Sequence, residues 1–271
     1  MRVIVKLSGK TLADQTSRES VCRELVQLAN KGIQMLVVHG GGQQLSQHCK
    51  RAGIPVAQYQ GRRITDEVTL EAAKMVFSAI NRDLTANLCS HGMKALGMSA
   101  FDGGMTQCHR RPPIPVQIGT TQKIEMVDFG LVGEIDKVNP EPIEVLWGYG
   151  YIPVISCLCA DSDGKIMNIN ADTLAAELAL SLRADRLVSA SDVDGIYTDP
   201  KDPSTQIDSL DVRTARDYLS NGVFVDGMVP KVETAIRALE RGVHTFQVLN
   251  GLQKGTLSQC TKHAIGTLLI P

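Results

Sequence analysis

Aromatic residues are scarce in this chain, making up 4% of its 271 residues, with a single Trp. The core must therefore be built from Val, Ile, Leu and Ala, as in parallel strands buried on both faces and in small-residue helices packed on them. No apolar run approaches the roughly 20 residues needed to cross a bilayer, so no membrane association is expected. Arg2 is followed by only three aliphatic residues before Lys6, too few for a signal-peptide core, and a cytoplasmic location is expected. Net charge is also nearly absent, at −1 with 28 basic and 29 acidic residues mixed along the chain. That balance argues against a general nucleic-acid or membrane-surface binder but leaves room for local basic pockets. The seven cysteines (22, 49, 89, 108, 157, 159 and 260) are scattered, and Cys157 and Cys159 form a lone C-x-C. Without a second pair a structural zinc site is not expected, and the thiols read as reduced core residues.

Hydrophobic residues supply 43% of the chain, enough for one large α/β domain or two joined lobes. Val3–Leu7 reads as a buried strand. Val21, Leu25, Leu28 and Ala29 mark a helix over Ser17–Lys31, stopped by Gly32. Ile33–Val38 is a second strand running into His39 and three glycines, followed by a helix from Gln43. Thr65 or Asp66 caps a long helix to about His91, with Val68, Ala72, Met75, Val76 and Ala79 expected inward. Residues 101–138 are rich in glycine and proline, with alternating stretches at Lys123–Val127 and Leu131–Ile135, and read as hairpins flanking a site. Further strands are expected at Tyr151–Ser156, Arg186–Ser189, His244–Leu249 and Thr267–Ile270. Helices are expected at Pro142–Leu146, Ala171–Leu182, Val212–Ser220 and Val229–Arg241. The alternation predicts an α/β three-layer sandwich, an open, mostly parallel central sheet with helices on both faces. Ligands in such folds bind beyond the carboxyl ends of the strands.

Two familiar phosphate signatures are missing. Ser8-Gly9-Lys10-Thr11 imitates the end of a P-loop, but the upstream glycine position is Ile4, inside a strand. Gly40-x-Gly42 lacks the third glycine of a dinucleotide fingerprint, which is Leu45. Even so, Gly40, Gly41 and Gly42 sit where a strand hands over to a helix, where backbone N–H groups can approach an anion. A tight turn without a ligand explains them equally well. Lys6 is the odd residue of its strand: it is either a cation aimed at phosphoryl oxygens or a snorkelling edge lysine. Asn168-Ile169-Asn170-Ala171-Asp172 joins an extended segment to a helix, and one N-cap explains only one of the three polar residues. Asp192-Val193-Asp194-Gly195 follows a strand but lacks the spacing of a calcium loop. Lys231 follows Pro230 near a helix N-terminus, where a phosphate would turn its cost into a gain. Arg63, beside Arg62, offers a fork able to clasp a carboxylate.

Taken in order, Lys6–Gly9, Val37–Gly42, Gly61–Asp66, Gly133–Ile135 with Val138–Pro140, Gly150–Ile155, Asn168–Asp172, Asp192–Gly195, Asp226–Lys231 and Gly266-Thr267 resemble the amino acid kinase family along essentially the whole chain. Within it they look most like the branch acting on N-acetylglutamate. The resemblance implies an ATP-dependent kinase that phosphorylates the side-chain carboxylate of N-acetyl-L-glutamate in arginine biosynthesis. Lys6 and Lys231 would flank the phosphoryl group, with Asp172 holding both. The amides of Gly41 and Gly42, with Gly9, would cradle its oxygens. Arg63, Asn168 and Asn170 would bind the acceptor. Asp192, Val193, Asp194, Gly195, Ile196 and Tyr197, with Val223, Phe224 and Val225, would line the nucleotide site, and Mg2+ would ride on ATP. Residues 1–183 would form an acceptor-binding and dimerising lobe, and residues 184–271 an ATP-binding lobe. A homodimer without an arginine switch is implied, since no extra helix precedes the first strand. Ser8, where this branch usually has glycine, looks more like uridylate kinases, and Asp226 replaces a common glycine. Carrier-bound aminoadipate and uridylate are alternative acceptors, and a catalytically dead amino-acid or nucleotide sensor is the non-enzymatic alternative. Intact Gly42 favours the free small acceptor, and the presence of Lys6, Asp172 and Lys231 together argues against a sensor.

Overall fold

Strand β1 (Arg2–Leu7) runs through the middle of the molecule, with every residue but Arg2 and Lys6 buried. The computed structural model describes residues 1–59, 62–117, 124–224, 228–262 and 265–271. β1 pairs in parallel with β2 (Gln34–His39) on one side and with Arg186–Ser191 on the other. The central sheet holds eight strands in the order 209–211, 267–270, 246–250, 186–191, β1, β2, 152–156 and 95–99. Neighbours are parallel throughout, except that 246–250 and 267–270 are antiparallel. The sheet is thus mixed but mostly parallel, with helices on both faces, as expected.

The pleat of β1 sorts its side chains. Val3, Val5 and Leu7 pack with Val21, Leu25 and Leu28 of α1 (Gln15–Ala29) and with Leu84 and Leu88 of α3 (Glu67–Ser90). Ile4 faces the other layer, with Leu174 and Leu178 of α5 (Ala171–Ser181) and Val232 and Ala235 of α7 (Met228–Glu240). Side chains alternate along a strand, so Lys6 falls on the Ile4 face, toward α5. A fully buried aliphatic side chain contributes roughly 1.5–3 kcal/mol, which holds the strand and the lysine at its end in place. Asp14 and Asp66 cap α1 and α3, each accepting at 2.8 Å from the backbone N–H three residues on, worth about 1 kcal/mol apiece.

The long helix α3 is rotated from the expected face. Leu70, Ala73, Phe77, Ile80, Leu84 and Leu88 are buried, whereas Val68 and Met75 are 57% and 59% exposed. The larger side chains of the 70–77–84–88 row remove more apolar area from water, and that row wins. Ala72 is buried as expected, but Ala79 is exposed. Strand Ala95–Ser99 at the sheet edge was not anticipated because Gly97 interrupts its pattern. A Cβ at 97 would lie 2.1 Å from Asn81 Oδ1 and 2.6 Å from Thr85 Oγ1, so glycine is what lets α3 lie on this strand. The 101–138 region does form hairpins, pairing Thr106–Arg110 with Gly133–Val138 and Ile114–Gln117 with Ile124–Val127; Lys123 lies outside the described residues. All seven cysteines are free thiols, and only Cys89 is exposed rather than buried. No helix among the described residues is long and apolar enough to cross a membrane.

Register places the functional loops. Leu7 lies opposite His39 and Ala190, and Ser156 opposite His39. The chain therefore leaves the sheet at one edge after Leu7, His39, Ser156 and Ser191.

Candidate active site

The N-cap of α5 is Asn170, whose side chain accepts from Asp172 N at 2.9 Å and Thr173 N at 3.0 Å. The cap fixes Asp172 in the first turn, and the pleat of β1 delivers Lys6 to it. Lys6 Nζ stands 2.8 Å from Asp172 Oδ1, with the lysine side chain only 13% exposed. A shielded ammonium in an apolar strand needs such a partner. Lys231 enters from the first turn of α7. Both lysines line one cleft of about 1230 Å³, together with Gly9, Gly41, Gly42, Arg63, Asn168, Asn170 and Asp172. Burial, and then the nearby Lys6 ammonium, hold Lys231 below the ordinary lysine value, against the opposing pull of Asp192 and Asp172. A cation so placed is short of negative charge, and an anion arriving between the two lysines would supply it.

The glycine turn is shaped by packing on one side and left open on the other. A Cβ at Gly41 would sit 2.7 Å from Ile80 Cδ1 and 2.8 Å from Phe77 Cδ1, whereas one at Gly42 would meet nothing within 4 Å. Gly41 lets the turn lie against α3, and Gly42 faces free space. His39 supports the turn from below: it is fully buried, and burial lowers it to about 4, so it is neutral at neutral pH. Asn81 Nδ2 donates to its Nε2 at 3.0 Å, so Nδ1 carries the proton and donates to Gly40 O at 2.9 Å. Its place is structural.

At the other end of the cleft Arg63 donates to Gly42 O at 3.0 Å and Ser46 Oγ at 2.6 Å, while its buried Nη1 has no acceptor among the described residues. Burial lowers the Arg63 value, but a guanidinium stays charged at neutral pH. Asn168 Nδ2 approaches Thr65 Oγ1 at 3.4 Å. Buried orphan donors are rare in folded proteins and point to an absent acceptor.

Residues Asp192–Tyr197, Val223 and Phe224 do not line this cleft. They follow the end of strand 186–191, where Asp192 pairs with Lys10 at 2.5 Å and Asp194 accepts from Asn250 Nδ2 at 2.7 Å. Burial works to raise the Asp192 carboxyl, yet hydrogen bonding and charge from Lys10 bring it below the usual range. Ile196 and Phe224 are buried, the latter edge-on to Tyr218 at 5.7 Å. Val225 lies outside the described residues, as do Gly61, Asp226 and Gly227. Sequence reasoning missed Lys10, Arg111 and Glu134, the last two of which line the cleft. The basic pair Arg110-Arg111 ahead of two prolines was the available signal for one of them. Among the described residues, no three His, Cys, Asp or Glu side chains cluster to hold a metal.

A model of the amino acid kinase family matches residues 1–250. The chain belongs to the amino acid kinase family. This amino acid kinase is 37% identical over 270 residues to the acetylglutamate kinase of Methanothrix thermoacetophila, covering 98% of the chain and 91% of the relative. It is 38% identical to the acetylglutamate kinase of Sorangium cellulosum, covering 99% and 94%. Among solved structures, the N-acetylglutamate synthase of Neisseria gonorrhoeae, complexed with coenzyme A and N-acetyl-glutamate, matches with a TM-score of 0.83 at 25% identity. That match covers 100% of the chain but 59% of the synthase, a longer protein. The carbamate kinase of Giardia shares the amino acid kinase fold, with a TM-score of 0.72 at 15% identity over 99% of the chain and 98% of its own.

Proposed function

We propose that this amino acid kinase transfers the γ-phosphoryl group of ATP to the side-chain carboxylate of N-acetyl-L-glutamate, giving an acyl phosphate in arginine biosynthesis. The observation that carries the reading is the meeting of Lys6 and Lys231 in one cleft with the glycine turn, with the Arg63 guanidinium lining the same space. A carboxylate oxygen attacks the γ-phosphorus, the bond to the bridging oxygen breaks, and ADP leaves with that electron pair. No proton moves, because the acceptor is already ionised at neutral pH. Two anions must be brought together, so cations and positioning do most of the work.

In this reading Lys6 and Lys231 neutralise the equatorial phosphoryl oxygens, and Asp172 fixes Lys6 through its ion pair. The amides of Gly41 and Gly42, with Gly9, hold those oxygens. Arg63 takes the α-carboxylate of the acceptor in a charge-assisted pair, with Asn168 and Asn170 beside it. Asp192–Tyr197 with Val223 and Phe224 would serve the nucleotide, with buried Ile196 and Phe224 as its floor. A magnesium ion would come with the nucleotide and would lower the negative charge on its phosphates. Residues 1–183 would carry the acceptor and residues 184–271 the nucleotide. The exposed Val68, Met75 and Ala79 row of α3 is where we place a second copy in a cytoplasmic homodimer, which sedimentation would test.

The names of the relatives favour acetylglutamate over uridylate or carrier-bound aminoadipate, and the Lys6–Asp172 pair with Lys231 in the same cleft favours a working kinase over a sensor. A coupled ADP-release assay with acetylglutamate, glutamate, aspartate and UMP tests the choice. Turnover is expected with acetylglutamate; its absence, or faster turnover with UMP, would remove the assignment.

A further inference from the structure

Arg111 has no part in the reading above, yet the fold places it on the same wall of the cleft as Arg63. Four chain segments, far apart in sequence, are knit there by backbone hydrogen bonds. Thr65 N donates to Phe129 O at 2.9 Å, Leu131 N to Thr65 O at 2.7 Å, Asn168 N to Leu131 O at 3.0 Å and Arg111 N to Val132 O at 2.8 Å. Arg63, Asn168 and Arg111 therefore hang from one small ladder that roofs the cleft.

The Arg111 guanidinium is almost enclosed, its side chain 14% exposed, and an ion pair places Nε 3.3 Å from Glu134 Oε1. That contact is misaligned, because the buried Nε–H makes no hydrogen bond to it or to any other described group. Glu134 is itself shared with His109, 3.5 Å away. Two guanidinium groups thus line the cleft, each with a buried N–H that has no acceptor among the described residues. A buried donor left unpaired costs about 1–3 kcal/mol, and a planar fork satisfies it best with a carboxylate.

We infer that Arg111 is a specificity-determining residue that joins Arg63 on the second carboxylate of the acceptor, making the site select dicarboxylates over acids with a single charge. The inference rests on the proposed kinase reading. It also orders the cleft: the reacting carboxylate lies at the lysine end and the recognition carboxylate at the arginine end.

The test compares acetylglutamate with its α-amide, which keeps the reacting carboxylate but has no second charge. Arg111→Gln is expected to raise KM for acetylglutamate roughly tenfold to hundredfold, the loss of one charge-assisted hydrogen bond. KM for ATP should hold, and kcat/KM for the α-amide should change by less than about threefold, since that acceptor never made the contact. Arg111→Lys, which keeps the charge without the fork, should fall between, and it carries the test if the Gln variant melts early. Equal losses on both acceptors would mean that Arg111 only packs the roof, and an unchanged acetylglutamate KM would mean that it does not reach the acceptor. Either result overturns the inference while leaving the kinase reading standing. Failure of the native chain to turn over acetylglutamate would remove both.

Discussion

Replacing Lys231 by Ala removes one of the two ammonium groups from the cleft while leaving the Lys6–Asp172 pair in place. A unit charge about 4 Å from a phosphoryl oxygen, in surroundings of effective dielectric near 20, contributes about 4 kcal/mol. Water entering an open cleft recovers part of that, so the barrier should rise by about 3 kcal/mol, or roughly a hundredfold to a thousandfold in kcat. The readout is coupled ADP release at saturating acetylglutamate, with KM for ATP followed in parallel. Because the lysine acts on charge that develops in transfer, kcat should fall far more than nucleotide affinity does. Lys231→Arg should restore part of the rate. The pH profile gives a second reading. Burial and Lys6 lower the Lys231 value, so the group loses its proton, and the enzyme its rate, on an alkaline limb below that of an ordinary lysine. The Arg variant should push that limb upward. A Lys231→Ala enzyme within about threefold of native kcat would refute the reasoning, since a cation worth even 1.4 kcal/mol costs about tenfold.

The two glycines of the turn should separate fold from chemistry. Gly41→Ala forces a methyl against Ile80 and Phe77 and should lower the melting temperature, at a cost of about 1–3 kcal/mol. Gly42→Ala meets no protein atom within 4 Å and should melt as native while losing kcat, measured on the same sample. His39 is held near 4 against an ordinary 6.5, so the unfolded chain takes up its proton first on acidification. The stability its neutral form contributes is present above about 6.5 and lost as pH falls toward 4, in the order of 3 kcal/mol. His39→Gln should flatten that part of the curve in denaturant titrations at pH 4 to 7.

The central strands were legible because they break the usual alternation: Val3–Leu7 and Ile33–Val38 are apolar but for Lys6 and Gln34, as strands buried on both faces are written. Lys6 stood out for the same reason. Its pairing with Asp172 was not readable from β1 alone, because it depends on the pleat, on α5 crossing that face and on the Asn170 cap. The face of α3 was misjudged because two apolar rows compete on it, and only packing against strands 95–99 and 152–156 decides between Met75 and Phe77. Strand Ala95–Ser99 stayed hidden because Gly97, the residue that weakens its pattern, is required by the approach of Asn81 and Thr85. The pair Arg110-Arg111 marked a basic spot but not its place in the cleft, because the setting of Arg111 comes from four segments brought side by side.

The central claim is that the two ammonium groups meet the phosphoryl group in flight. A crystal structure with ADP, magnesium, acetylglutamate and aluminium fluoride, a planar mimic of that group, tests it most directly. Lys6 Nζ and Lys231 Nζ should each lie within about 3 Å of a fluoride, at hydrogen-bonding distance. Either ammonium turned to solvent, or the mimic bound outside the cleft, would contradict the account.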